Sequence, residues 1–297
     1  MTENRVIDIA ERGAHLHVDT GNLVLDFEDA ERWQCPVDDL AAVSISHPHV
    51  SVSKSALAAC AMEGVCLVVC DDKYMPVGMM LPLQSHYVQA ERFARQAAAS
   101  LPTRKRLWQQ VVRAKIGAQA RLLEEIRGSD SGIRELVSRV RSGDPTNVEA
   151  QAARRYWPSL MGQWFTRDRY GPWPNPMLNY GYAILRAVTA RAVVTAGLHP
   201  SLGLHHHNRY DAFCLADDLM EPFRPIVDRA VVLRNEPEGT DGPVLRREDR
   251  ATMIGTLYER IEHGGESRTL FDVLSRMASS LADVYTGTGT ALVIPVP

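Results

Sequence analysis

The residues with the greatest chemical potential lie in two neighbouring stretches, Leu202-Gly203-Leu204-His205-His206-His207-Asn208 and Leu215-Ala216-Asp217-Asp218-Leu219-Met220-Glu221-Pro222-Phe223-Arg224-Pro225. On a helix, Asp217 and Glu221 are one turn apart and share a face, with Asp218 beside them. Pro222 lacks a backbone donor and crowds the preceding turn, which predicts a kink that aims the acids. Carboxylates joined by an imidazole are hard and borderline ligands, a set that suits a divalent ion such as Mg2+ or Mn2+. A histidine triplet alone is equally compatible with a surface tract.

Two further segments bear on the same chemistry. Asp144-Pro145-Thr146-Asn147-Val148-Glu149-Ala150 opens a helix and puts Glu149 in its first turn. The helix dipole favours an acid there, so capping alone would account for an isolated glutamate. Asn179-Tyr180-Gly181-Tyr182-Ala183-Ile184-Leu185 sets a glycine early in a helix, where it permits close packing.

The elements that must position these groups differ along the chain. Up to about residue 85 the pattern has period two. Arg5–Ile9, Ala14–Val18 and Leu23–Phe27 read as strands, with turns at Gly13 and Gly21-Asn22. Ala42–Ile45 and Val65–Val69 read as buried strands, and Lys54–Met62 as a helix capped by Ser53. Met75-Pro76-Val77-Gly78 reads as a turn. Beyond Gln84 the period becomes 3.6, which predicts helices over 88–99, 105–127, 132–140, 147–165, 177–196, 218–232, 250–262 and 270–285. Thr103 is expected to cap the second of these. Residues 234–242 read as an exposed loop and 287–297 as a mobile tail. The fold class is therefore α+β, with a small β-rich domain over 1–85 followed by a larger all-helical one over 86–297.

With 297 residues and 45% hydrophobic content the chain can bury a sizeable core. It has no apolar run of about 18 residues, and Met1–Arg5 lacks a signal-peptide pattern, so no membrane association and a cytoplasmic location are expected. Five cysteines without paired spacing read as reduced, buried thiols and not as a zinc site. The net charge of −3 does not mark a nucleic-acid binder, yet four lysines stand against 29 arginines. A GC-rich genome would favour arginine whatever the function. The basic residues between Arg92 and Arg155 are nevertheless dense enough to form a phosphate track.

Taken together and in this order, the three blocks resemble the CRISPR-associated protein one family, the adaptation endonuclease–integrases. The resemblance covers nearly the whole chain, and its most specific piece is Leu219-Met220-Glu221-Pro222-Phe223-Arg224-Pro225. The Cys70-Asp71-Asp72-Lys73 turn and the short helical domain point to the type II branch, whose effector is an RNA-guided nuclease.

The resemblance implies a catalytic, metal-binding trio of Glu149, His206 and Glu221, holding Mg2+ or Mn2+. The family's histidine lies three residues after its loop glycine, which selects His206 over His205 and His207. Asp218 would orient a ligand or a bound water, and Arg154 and Arg224 would contact DNA, Arg224 alternatively bracing the acid helix. Many members carry glycine where this chain has Ala150, which could alter backbone approach to DNA. The implied activity joins 3′-hydroxyl ends of foreign DNA into the CRISPR repeat by transesterification, a reaction without nucleotide hydrolysis. No Walker-type loop occurs in the chain. Implied partners are DNA, a second copy through the β-rich domain, the smaller CRISPR adaptation protein two and the type II effector nuclease. His206 could instead act as a general base; as a ligand, its protonation would weaken metal binding. Two rival readings are a structure-selective nuclease acting on branched DNA and a non-catalytic DNA-binding scaffold. In the scaffold, the acids would serve as ion-pair partners of Arg154, Arg224 and Arg229.

Overall fold

A computed structural model describes residues 4–72, 74, 76–234, 245–263 and 266–295. The chain divides into two compact units, Met1–Tyr87 and Val88–Pro297.

Among its described residues, the first unit contains two four-stranded sheets and one α-helix. Strands β1 (Arg5–Ile9), β5 (Leu40–Ile45), β7 (Cys66–Cys70) and β8 (Pro76–Met80) form one sheet in the order β1-β5-β7-β8. Its first three strands run parallel, and β8 is antiparallel to β7. Strands β2 (Ala14–Asp19), β3 (Asn22–Asp26), β4 (Trp33–Pro36) and β6 (Val50–Val52) form the other, in the order β4-β3-β2-β6. Helix α1 (Lys54–Met62) starts at Ser53, whose hydroxyl accepts from the Ala56 N–H at 3.2 Å. Leu16, Leu23 and Leu25 of one sheet, Val43 and Leu67 of the other and Cys60 of α1 build one apolar core.

Strands β4, β6 and β8 have no counterpart in the sequence reading, and β8 stands where a turn was expected. All three lie at sheet edges. Pro36 and Pro76 are tolerated there because an edge strand need not donate on both sides. Met75 and Lys73, parts of two predicted turns, lie outside the described residues, as do 235–242 of the predicted exposed loop.

The second unit is mostly helical, as the 3.6-residue pattern predicts. Helix α2 spans Gln89–Ala97 and α3 Leu101–Arg127. Ser100, not Thr103, caps α3, accepting from the Thr103 N–H at 3.3 Å. Pro102 fits inside the first turn because an N–H there has no intrahelical partner to lose. Only α4 (Leu136–Arg139) forms within the predicted 132–140 helix; α5 (Val148–Met161) and α6 (Asn175–Thr195) follow. The predicted 218–232 helix is displaced and broken: α7 (Cys214–Met220) passes through a 3-10 turn at Glu221–Phe223 into α8 (Arg224–Val232). Pro222 sits in that turn, in keeping with the expected kink.

Helix α9 spans Arg247–Gly255. Strands β9 (Arg260–His263) and β10 (Glu266–Thr269) then pair as a hairpin, so the unit is not all-helical. Helix α10 spans Leu270–Thr286, and the described residues after it make contacts with the unit at Leu292 and Val293. Leu292 is buried, its N–H donates to Gln110 Oε1, and the Val293 N–H donates to Ser280 Oγ. None of the five cysteines forms a disulfide, and four are buried. Among the described residues, no helix is long and apolar enough to cross a membrane.

Helix α6 runs through the core of this unit. At Gly181 a Cβ would lie 2.5 Å from Val227 Cγ1 and 2.7 Å from Met253 Sδ, so the glycine lets α8 and α9 close on α6. Gly181→Ala is expected to lower stability by about 1–3 kcal/mol through overpacking. Urea denaturation checks this, and an unchanged midpoint would mean the neighbours yield freely.

Candidate metal centre

The site assembles from α3, α5, the histidine loop and the α7–3-10 turn. Asp144, buried before α5, accepts the Val148 N–H at 2.9 Å and the Glu149 N–H at 3.0 Å. Asn147 caps the same helix, accepting from the Ala150 N–H. These acceptors meet donors that the first turn leaves unpaired, and they orient Glu149 inward from α5.

The histidine loop is held by one carboxylate. Asp218 is fully buried and accepts from the backbone N–H groups of Leu204, His205 and His206 at 2.5, 3.0 and 3.2 Å. Its Oδ1 also lies 2.6 Å from His206 Nδ1. Gly203 makes this possible, because a Cβ there would fall 2.3 Å from the His206 carbonyl oxygen and 2.8 Å from Asp218 Oδ2.

The three imidazoles have separate roles in this loop. His205 stacks on the buried Trp108 of α3, with ring centroids 4.5 Å apart. His207 is exposed, its Nδ1 2.7 Å from the His205 carbonyl. His206 has Nδ1 tied to Asp218, which turns Nε2 into the free ring nitrogen. The bond to Asp218 raises the His206 pKa against an opposing effect of burial, and Glu221 adds to the rise.

Glu149 and Glu221 converge on one cation. Lys115 Nζ of α3 donates to Glu149 Oε1 at 2.5 Å and lies 2.6 Å from Glu221 Oε2. That oxygen is buried and has no hydrogen bond of good geometry. Burial alone would lower the Lys115 pKa, but Glu221 and Glu149 outweigh it and hold the ammonium charged. Burial would likewise raise Glu221, and Arg224 with Lys115 reverses the sign. Arg224 lies 3.0 Å from Glu221 Oε1 and over the Tyr182 ring, so it braces the acid from within.

The expected shared face of Asp217 and Glu221 is not used as one. Glu221 falls in the 3-10 turn, while Asp217 turns to Arg186, which also holds Asp211. Burial lifts Asp217 to a pKa of about 6. The basic segment is also largely spoken for. Arg92, Arg113, Arg127 and Arg155 donate to backbone carbonyls, and Arg134 pairs with Glu124. Lys105, Arg106, Arg139, Arg141 and Arg154 remain exposed. Arg229 pairs with Glu125.

Sequence reasoning missed Lys115, Trp108 and a buried network around Asp228. Tyr156 donates to Asp228 at 2.6 Å, and Tyr182 donates to its other oxygen. A lysine kept in so arginine-rich a chain was the available signal for Lys115. A cavity of about 900 Å³ in the first unit, lined by His15, His47 and His49, carries less. His15 already bonds Ser51, and His47 accepts from the His49 N–H.

A family model described as CRISPR associated protein Cas1 matches residues 7–238. The chain belongs to that family. It is 34% identical over 275 residues to the CRISPR-associated endonuclease Cas1 of Neisseria meningitidis serogroup C (strain 8013), spanning 92% of this chain and 89% of the relative. A casposase bound to integration product shares the fold at 21% identity and a TM-score of 0.82, over 97% of this chain and 92% of that one. A chain of a Cas6-RT-Cas1–Cas2 complex shares it at 20% identity and a TM-score of 0.77, matching 100% of this chain and 37% of its own.

Among the described residues, no three His, Cys, Asp or Glu side chains form a ready-made metal cage. The donor chemistry nevertheless fits a divalent ion: two carboxylates meet at one cationic point, and one imidazole nearby has its second nitrogen anchored.

Two predictions follow from these carboxylates. Asp218→Ala leaves three loop N–H groups without their acceptor and should cost about 4.5 kcal/mol or more, since hydrogen bonds to a charged group contribute roughly 1.5–3 kcal/mol each. In the same variant the His206 pKa should fall, read by NMR titration; an unmoved titration would show that Asp218 is not its partner. Burial lifts Asp228 to a pKa of about 6 despite its two tyrosine donors. The folded state thus binds a proton that the unfolded state has released, and this group's contribution to stability declines as pH rises from about 4 to 6. Asp228→Asn should flatten that part of the melting-temperature profile; a slope equal to wild type would assign it elsewhere.

Proposed function

We propose that this chain is a metal-dependent DNA endonuclease–integrase of CRISPR adaptation, with Glu149, His206 and Glu221 as ligands of Mg2+ or Mn2+. The observation that carries the reading is the convergence of Glu149 and Glu221 on one cation, beside an imidazole oriented by Asp218. Membership of the Cas1 family and the likeness to a named Cas1 endonuclease support a nuclease or integrase activity.

In the proposed reaction a 3′-hydroxyl of a short foreign duplex attacks a phosphodiester of the CRISPR repeat. One P–O bond forms as another breaks, the attacking hydroxyl loses its proton and the leaving oxygen gains one. A divalent ion at this site would lower the hydroxyl pKa and act as a Lewis acid. The chain's own residues do the positioning. Asp144 and Asn147 set the start of α5 and hence Glu149; Asp218 orients His206; Arg224 braces Glu221. Exposed Arg154, with its neighbours Lys105, Arg106, Arg139 and Arg141, would hold DNA through phosphates without reading bases. Arg224 is committed to Glu221 and serves the site from inside.

The proposed partners are DNA, a second copy of the chain through the β-rich unit, a Cas2 protein and the type II effector nuclease. A fold neighbour that is part of a Cas6-RT-Cas1–Cas2 complex supports the Cas2 pairing.

The test is strand transfer from a labelled 3′-hydroxyl duplex into a supercoiled repeat plasmid, with Cas2 and Mn2+. Wild type should label the plasmid, and Glu149→Ala, His206→Ala and Glu221→Ala should each reduce transfer at least about 100-fold, or about 2.7 kcal/mol of barrier. Release of cut strands from a branched substrate without plasmid labelling would favour the nuclease reading. DNA capture without transfer or cutting would leave the scaffold.

A further inference from the structure

We propose that Lys115 is a resident cation of the metal point, so that a divalent ion binds only as the Lys115 ammonium withdraws. The inference rests on the metal-centre reading above and concerns what this chain does before the ion arrives.

Lys115 lies mid-way along α3, and its side chain is only 13% exposed. Its Nζ is 2.5 Å from Glu149 Oε1 and 2.6 Å from Glu221 Oε2. An ammonium at those distances occupies the point where both carboxylates aim, the point a divalent ion would need at about 2.1 Å from the same oxygens. The two cations cannot share it. With Lys115 and Arg224 in place, the charges of Glu149 and Glu221 are already balanced. With Lys115 gone, a single negative charge is left to attract an ion.

The residue type fits this task. In a chain with 29 arginines and four lysines, a compact ammonium on a flexible four-carbon stem fills a single point between two carboxylates. It can also swing out, which a planar guanidinium fork in the same crevice does poorly. Lys115 Nζ lies 2.6 Å from Glu221 Oε2, so the buried acid is held mainly by the charge of the lysine on that side. Lys115 is therefore a positioning residue: it keeps Glu149 and the buried Glu221 aligned on one point in the metal-free protein.

The measurement is Mn2+ affinity of the DNA-free full chain by calorimetry and by EPR, alongside metal-free melting temperature. Lys115→Met keeps the stem and removes the charge. It should melt lower without metal, bind Mn2+ at least tenfold more tightly than wild type, and gain more melting temperature from Mn2+. Lys115→Gln, whose amide can bridge both acids, supplies the same comparison should the methionine variant not fold. Adding Glu149→Gln to either variant should abolish the tightened binding. A lower melting temperature with Mn2+ affinity equal to or weaker than wild type would overturn the inference while the metal-centre reading stands. Absence of Mn2+ binding by wild type and both variants would overturn both.

Discussion

A carboxylate taken out of water must find donors or a cation, or give up its charge, and the helical unit is organised around that constraint. Asp218 is met by three backbone N–H groups and an imidazole, Glu221 by an ammonium and a guanidinium, Asp228 by two phenols. Each solution ties a different element to the α7–α8 segment. Asp218 fastens the histidine loop, Glu221 draws in α3, and Asp228 reaches α5 and α6. Remove the acids and the elements would lose the contacts that set their register against one another.

This way of building a site is expensive in stability and effective in geometry. Desolvating an ion pair costs several kcal/mol that the attraction barely repays. Yet a charge that must meet a few fixed partners leaves little freedom to its side chain. The Trp108 ring against His205 and the close approach at Gly203 serve the same end, since they limit the loop to one course past Asp218. The affinity of such a site for a cation is built into the metal-free protein, where Lys115 already supplies one.

The β-rich unit follows other rules. Its central strands are legible because inward side chains alternate with outward ones and pack into one core. Its edges are not. Trp33–Pro36, Val50–Val52 and Pro76–Met80 are short or contain Pro and Gly, and are held as strands only by a neighbour already in place. In the helical unit the same dependence on neighbours misled the reading of 132–140. The arginines of 92–155 looked like a phosphate track, yet several are consumed by backbone carbonyls within the unit.

By itself the sequence determined the order and type of most elements, the break at Pro222, the first-turn position of Glu149 and the family to which the motif blocks belong. Those are local properties: periodicity, a missing backbone donor, a cap, a short run of residues in a given order. Only the tertiary structure decided which histidine of the triplet bonds Asp218, that Asp217 turns away to Arg186 while Glu221 faces Lys115, and that Arg224 is spent on Glu221. Lys115 and Glu149 are far apart in the chain, as are His206 and Trp108, and nothing in local spacing reports such a meeting. Burial makes these pairings compulsory, and burial is set by how the helices pack.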